Sequence, residues 1–317
     1  MAGAGSPTLQ SQETTGVFAA VGFVCLAAVR DVYLGGLFQR LNPFLIMVVA
    51  FALCTAAFLP ALFGSRDSIM VLRRKPAALL WINATSATAW IAFMFALTLI
   101  EPCIVQIIYS GIGPLSIIYI ESKLSNPTVV ALTRPERFAY LILFVTLAFA
   151  AMVVLTGQSG LVGQPLSKAL LGVIVAMGGG LSISVVTMLC RRLNDAGVSP
   201  SALLSLRFPA TVVTAAALLS MTPSALPIGL SWINVSLGIA VFLIVAASYV
   251  NQLAFSLASP LTVRVILAAG PILIFLFQMI EHRLSASRYS LVAVMLYGFA
   301  TTLAALARQR AIRATVA

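Results

Sequence analysis

Glu101-Pro102-Cys103-Ile104-Val105-Gln106 returns about 160 residues later as Ser259-Pro260-Leu261-Thr262-Val263-Arg264. Each copy then runs on to a Gly-Pro pair, Gly113-Pro114 in the first and Gly270-Pro271 in the second. The order persists on both sides. Downstream, Glu121-Ser122-Lys123-Leu124-Ser125 is answered by Glu281-His282-Arg283-Leu284-Ser285; upstream, Asn42-Pro43-Phe44 is answered by Ser199-Pro200-Ser201, with Ala50-Phe51 standing where Arg207-Phe208 stands. Any one match is weak, but a shared order at a near-constant offset reads as duplication.

The duplicated unit is made for lipid. Of the 317 residues, 61% are hydrophobic and 9% charged, and mean hydropathy is +1.07, a balance outside the range of soluble domains. Apolar runs of roughly 18 to 22 residues, enough to span a hydrocarbon core of about 30 Å, recur along the chain. Ten spans are predicted, at 17–38, 44–64, 79–99, 103–120, 138–156, 169–190, 201–221, 234–255, 261–280 and 289–307. The breaker dipeptides Asn42-Pro43, Glu101-Pro102, Ser199-Pro200 and Ser259-Pro260 fix helix starts, because proline is tolerated in a first turn and not inside. The expected fold is an all-α integral membrane protein of ten transmembrane helices. Residues 17–156 form one five-helix repeat and 169–307 the other, with tails at 1–16 and 308–317. Five is odd, so the second copy must be inverted across the bilayer.

Charge placement gives an orientation. With the N-terminus inside, Arg66, Arg73, Arg74, Lys75, Lys123, Arg134, Arg137, Arg191, Arg192, Arg308, Arg310 and Arg313 are cytoplasmic, against Arg40, Lys168, Arg283 and Arg288 outside. The positive-inside rule favours that arrangement, with both termini cytoplasmic. The net charge of +11 is thus a topological signal, and no nucleic-acid partner is needed to explain it. Residues 1–16 hold Glu13 and no Lys or Arg, so the first apolar run lacks the basic flank of a secretory signal and reads as a retained helix. Cys25, Cys54, Cys103 and Cys190 fall one per span without paired spacing, and His282 is the single histidine. No metal, cofactor or catalytic constellation is expected from that set.

With two copies of five spans, the Ser199-Pro200 to Leu206-Arg207-Phe208 segment, the mid-span Pro114 and Pro271 and the Glu281-His282-Arg283-Leu284-Ser285 motif, the chain resembles the EamA-type members of the drug/metabolite transporter superfamily over nearly its full length. The resemblance implies inverted five-helix repeats around a central cavity and an alternating-access carrier of small metabolites. Ala50 stands where the superfamily pattern has an arginine, and a longer segment, 126–137, precedes the fifth span.

The intramembrane residues point to substrate chemistry independently. Arg30, Asp31, Arg207 and Arg264 are the charges within spans. Arg30 and Asp31 lie about 20 Å along their helix, leaving roughly 10 Å of core beyond. A charge at depth costs about 2.5 to 3.5 kcal/mol and normally faces a bundle interior or wet cavity. Sequence neighbours project about 100° apart on a helix, so this pair is expected to seek partners elsewhere, with Arg207 and Arg264 the candidates. The net positive balance suits an anionic or carboxylate-bearing solute. Gln106 and Tyr109, three apart on one face, together with Asn251 and Gln252, are expected to orient that solute, as Asn83, Trp90, Tyr249 and Gln278 could also do. Interhelical hydrogen bonding is the competing reading for each. Gly113-Pro114 and Gly270-Pro271 are read as helix breaks lining the cavity, since freed backbone groups at that depth need protein or water. Trp81, Trp232 and Tyr289 are read as interfacial anchors.

The functional expectation is a plasma-membrane secondary transporter, an exporter by family resemblance, with the bilayer and a small molecule as its partners. Its cargo would be an amino acid or amino-acid-derived carboxylate, metallophores included. Asp31 is the candidate for proton coupling: burial favours its neutral form and an arginine neighbour its ionised form, so occupancy could tip the balance. A sugar-phosphate or nucleotide-sugar antiporter is the alternative, and a lipid flippase or intramembrane enzyme a more distant one.

Overall fold

The computed structural model describes residues 9–124, 133–161, 163–222, 231–258 and 260–316, with side chains at all of these except 9–12, 117–124, 231–234, 260–261, 264 and 311–316. Among the described residues every regular element is a helix. They are α1 (Leu9–Leu37), α2 (Pro43–Phe63), α3 (Arg66–Arg74), α4 (Pro76–Leu99), α5 (Pro102–Leu124), α6 (Arg134–Leu155), α7 (Leu166–Asp195), α8 (Pro200–Leu206), α9 (Pro209–Met221), α10 (Ser231–Leu257), α11 (Pro260–Leu267), α12 (Gly270–Glu281) and α13 (Arg288–Val316).

Among the described residues, eight stretches are long and apolar enough to cross a bilayer, and two shorter apolar ones run from Pro102 to Ser116 and from Val265 to Glu281. This is an α-helical multi-pass membrane protein. Its outer surface carries Phe18, Phe63, Phe138, Phe144, Val213, Phe242, Met295 and Phe299, large apolar side chains that lipid tails accept and water would not. Trp81 and Tyr289 are exposed as well, as interfacial side chains would be.

The helices begin where their chemistry says they should. Asn42 caps α2 by accepting the Phe44 amide at 2.9 Å, and Ser199 caps α8 by accepting the Ala202 amide at 3.2 Å, each followed by proline. Thr133 and Glu136 form a reciprocal capping box at the start of α6. The rest of the longer segment, 126–132, lies outside the described residues. His282 ends α12 in the left-handed conformation at φ 57°.

Packing follows a pattern. Helix α1 lies along α10 as α4 lies along α7; α5 packs on α7 as α11 and α12 pack on α1; α2 meets α8 and α9, and α6 meets α13. Glycines permit the closest crossings. A side chain at Gly16 would collide with the backbone at Leu257 and Ala258, and one at Gly172 with Leu99 and Ile100. At one end of the bundle Glu101, Gly160, Gln278 and Ser290 gather; at the other, Arg308 pairs with Glu136 at 3.3 Å and Ser68 accepts the Ser199 amide at 3.1 Å.

Candidate functional site

The buried charges sit against an aromatic wall. Helix α4 places Trp90 and Phe93 on one face, three residues apart, with ring centroids 6.2 Å from each other and nearly perpendicular. Phe51 of α2 and Phe208 of the α8–α9 junction extend the wall, with centroids 5.0 Å (Phe51–Trp90) and 4.7 Å (Phe51–Phe208) apart. Tyr109 of α5 closes it against Phe93 at 4.7 Å. Arg30 enters from α1, its guanidinium carbon 5.3 Å from the Trp90 centroid and 5.7 Å from that of Phe93.

Arg30 and Asp31 do pair with each other, contrary to the helical-wheel expectation. Nε and Nη2 of Arg30 both reach Oδ1 of Asp31 at 2.7 Å. An arginine side chain is long enough to fold back across 100° of helix surface, and in a site where both groups are almost wholly buried no water competes. The adjacency leaves its mark: Oδ2 of Asp31 has no partner among the described residues.

Arg207 arrives by a different route. The seventh span is interrupted at Arg207-Phe208, where α8 ends and Pro209 opens α9. Pro209 has no amide hydrogen, and its ring disrupts the turn before it. Asn83 of α4 repairs the junction, donating to the Leu206 carbonyl at 2.6 Å and accepting the Ala210 amide at 3.2 Å. It stands in place of the helical bond those two groups would otherwise share. The junction turns the Arg207 guanidinium over Phe208 at 4.8 Å. The side chain is 7% exposed, its Nε lacks a partner, and no carboxylate pairs with it among the described residues.

The remaining predicted residues divide. Tyr109 lies in the aromatic wall, and Gln106 is half-buried on the same helix. Gln252 is buried and hydrogen bonds the Cys190 thiol, while the neighbouring Asn251 keeps an unpartnered Oδ1. Trp90 adds an unpartnered indole N–H. Arg264 stands on α11, and its side chain lies outside the described residues. Tyr249 faces outward and stacks on Phe58 at 5.5 Å. The two Gly-Pro pairs behave differently: α5 runs unbroken through Gly113 and Pro114, whereas Gly270 and Pro271 open α12 after a two-residue turn at Ala268 and Ala269. Gly270 is buried, yet a side-chain carbon built there would meet nothing within 4 Å, so a void adjoins the break.

Sequence reasoning passed over Glu101 as part of a breaker dipeptide. It is fully buried, and its carboxylate takes hydrogen bonds from the Gly160 amide at 2.7 Å, the Ser290 hydroxyl at 2.7 Å, the Gln278 amide at 3.1 Å and the Cys103 thiol at 3.2 Å. Gln278 therefore belongs to this terminal knot and not to the charged centre. A nearby void of about 10 Å³, lined by residues such as Leu99, Val154 and Ala169, holds one water at most and is no substrate site.

No family model and no curated protein matches the chain. Among solved structures, one described only as a crystal structure of a protein superposes with a TM-score of 0.62 at 20% identity, covering 95% of this chain and 98% of its own. At that identity the likeness concerns the fold alone.

Proposed function

We propose that this protein is a secondary transporter of the EamA type, built from ten spans in two inverted five-helix repeats, that moves a small carboxylate-bearing solute by alternating access. The observation that carries the reading is Arg207: a buried guanidinium at a helix junction, about 10 Å into its span by helix rise, with an unused N–H and, among the described residues, no carboxylate to neutralise it. A lone buried charge is costly, and an incoming anion would offset that cost. Arginine's planar fork suits a carboxylate.

The pairing of helices supports the repeat architecture. An exchange of α1 with α7, α4 with α10 and α5 with α11–α12 converts each principal contact into another that is present. The two glycine crossings, Gly16 at Leu257–Ala258 and Gly172 at Leu99–Ile100, are related by the same exchange. Unpartnered polar atoms on Trp90, Arg207 and Asn251, contributed by α4, the α8–α9 junction and α10, would supply further contacts to that ligand. Membership of the drug/metabolite transporter superfamily, a plasma-membrane location with both termini cytoplasmic, and export as the direction complete the proposal.

The test is uptake into proteoliposomes across amino acids, dicarboxylates, metallophores, sugar phosphates and lipophilic cations. Carboxylates are expected to be carried, with Arg207→Lys weakening apparent affinity. Transport confined to lipophilic cations, or unaltered affinity in folded Arg207→Lys, overturns the reading.

A further inference from the structure

The Arg30 side chain is held by more than its own charge requires. Trp90 and Phe93 present two aromatic rings at a right angle to each other, and the Asp31 carboxylate holds the same guanidinium. Two rings and a carboxylate form the arrangement by which proteins bind organic cations, because the ring faces and the carboxylate are all negative toward the same point. Here the bound cation is part of the chain. We propose that Trp90, Phe93 and Asp31 form a binding site for guanidinium and ammonium compounds, that Arg30 fills it as a tethered occupant, and that Arg30 thereby closes the carrier to cationic solutes. The inference rests on the transporter reading and adds a determinant of its specificity.

The geometry separates a tethered ligand from a free one. A guanidinium and a carboxylate pair best through two parallel bonds, one to each oxygen. Arg30, fixed one residue before Asp31, brings Nε and Nη2 to the single oxygen Oδ1 and leaves Oδ2 bare. The tether prevents the better arrangement. A free guanidinium is under no such restriction, and with Arg30 removed it can engage both oxygens while keeping both ring faces. The site is nearly sealed, with Trp90 9% exposed, Phe93 2% and Asp31 0%, so an uncompensated Asp31 carboxylate there would be strongly destabilising. Loss of Arg30 thus creates both the space and the demand for an external cation.

The experiment is chemical complementation with methylguanidinium chloride, read by thermal unfolding of the full chain in detergent, with sodium chloride at equal ionic strength as control. Arg30→Ala is expected to unfold at a lower temperature than wild type and to be restored by methylguanidinium, binding it at least about tenfold more tightly than wild type does. The double variant Arg30→Ala with Asp31→Asn should lose that response. If Arg30→Ala does not survive extraction alone, it must be recovered folded when solubilised in methylguanidinium. An equal response in wild type, persistence of the response in the double variant, or no restoration under either protocol overturns the proposal. Carboxylate uptake by the wild-type carrier is measured separately, so failure of the cation site and failure of the transport reading are told apart.

Discussion

The Ser290 hydroxyl donates a 2.7 Å hydrogen bond to the Glu101 carboxylate across 189 positions of sequence, joining the start of α5 to the start of α13. With Gly160 and Gln278 on the same carboxylate, four segments are held at one end of the bundle by one side chain. Every group facing it is a donor. Glu101→Gln places an amide N–H against one of those donors and removes the charge that strengthens all four bonds, so a loss of about 2 to 3 kcal/mol is expected, against about 1 kcal/mol for Ser290→Ala. Unfolding midpoints in detergent measure both. A Glu101→Gln midpoint equal to wild type would remove the carboxylate as the organiser of this end.

Asn83 is expected to matter only because Pro209 is there. Its side chain bridges Leu206 and Ala210, the two groups that an uninterrupted helix would join directly. Asn83→Ala should cost about 1 to 3 kcal/mol in wild type, since a half-buried carbonyl and amide lose their partner. In a Pro209→Ala background the helix can close its own bonds and the cost should shrink. A double-mutant cycle reports the coupling, and simple additivity would contradict the repair role.

The run of apolar helices was legible because hydropathy and proline position depend on each residue's own chemistry. The Pro43, Pro102 and Pro200 helix starts appear where sequence alone placed them. Pro209 was equally visible, but inside an apolar run its effect depends on whether a neighbour can repair the junction, and Asn83 comes from a helix more than a hundred positions away. Gly113-Pro114 makes the converse point, for a similar dipeptide is absorbed into a continuous α5. Arg30, Asp31 and Arg207 were legible as buried, while the pairing of Arg30 with Asp31 was not. A helical wheel gives the direction of Cβ, and Arg30 reaches Asp31 through the length of its side chain. Glu101 was hidden because its partners other than the nearby Cys103 are loop and helix-end groups 59 to 189 positions away.

Two glycines two residues apart on α7 should respond in opposite ways. A Cβ at Gly180 would collide with Ile112 and lie 2.5 Å from the Tyr109 carbonyl, whereas one at Gly178 would meet nothing within 4 Å. Gly180→Ala is expected to separate α7 from α5 and lower the unfolding midpoint. Gly178→Ala should leave it unchanged or raise it, by up to about 1 kcal/mol of helix propensity. Similar behaviour of the two variants would show that α7 and α5 are not in close contact.

Topology follows from the charge asymmetry and the proposed even number of spans. Single cysteines placed within residues 1–12 and 311–317 should be protected from a membrane-impermeant reagent in intact cells and labelled after permeabilisation. Labelling of either terminus from outside would reverse or break the proposed orientation.

Proton coupling through Asp31 is the prediction with the most direct bearing on mechanism. Oδ1 is committed to Arg30, and Oδ2 is the unpartnered atom on which a proton could reside. Protonation there would weaken the hold on Arg30, whose guanidinium shares the aromatic wall with the Phe208 ring beneath Arg207. The pair would then contribute net positive charge to the site, favouring the anion. Loss of the proton would restore the ion pair and lower the affinity, so proton and anion binding would be positively linked, the coupling that cotransport uses. The competing arrangement is an Asp31 that stays ionised as a fixed counter-ion, giving flux indifferent to a proton gradient. Solute flux should therefore be measured in proteoliposomes with and without an imposed pH gradient, for wild type and for Asp31→Asn. Stimulation of wild type by the gradient and its loss in a folded Asp31→Asn are expected. A wild type insensitive to the gradient removes proton coupling altogether, and a variant as responsive as wild type moves the coupling group away from Asp31.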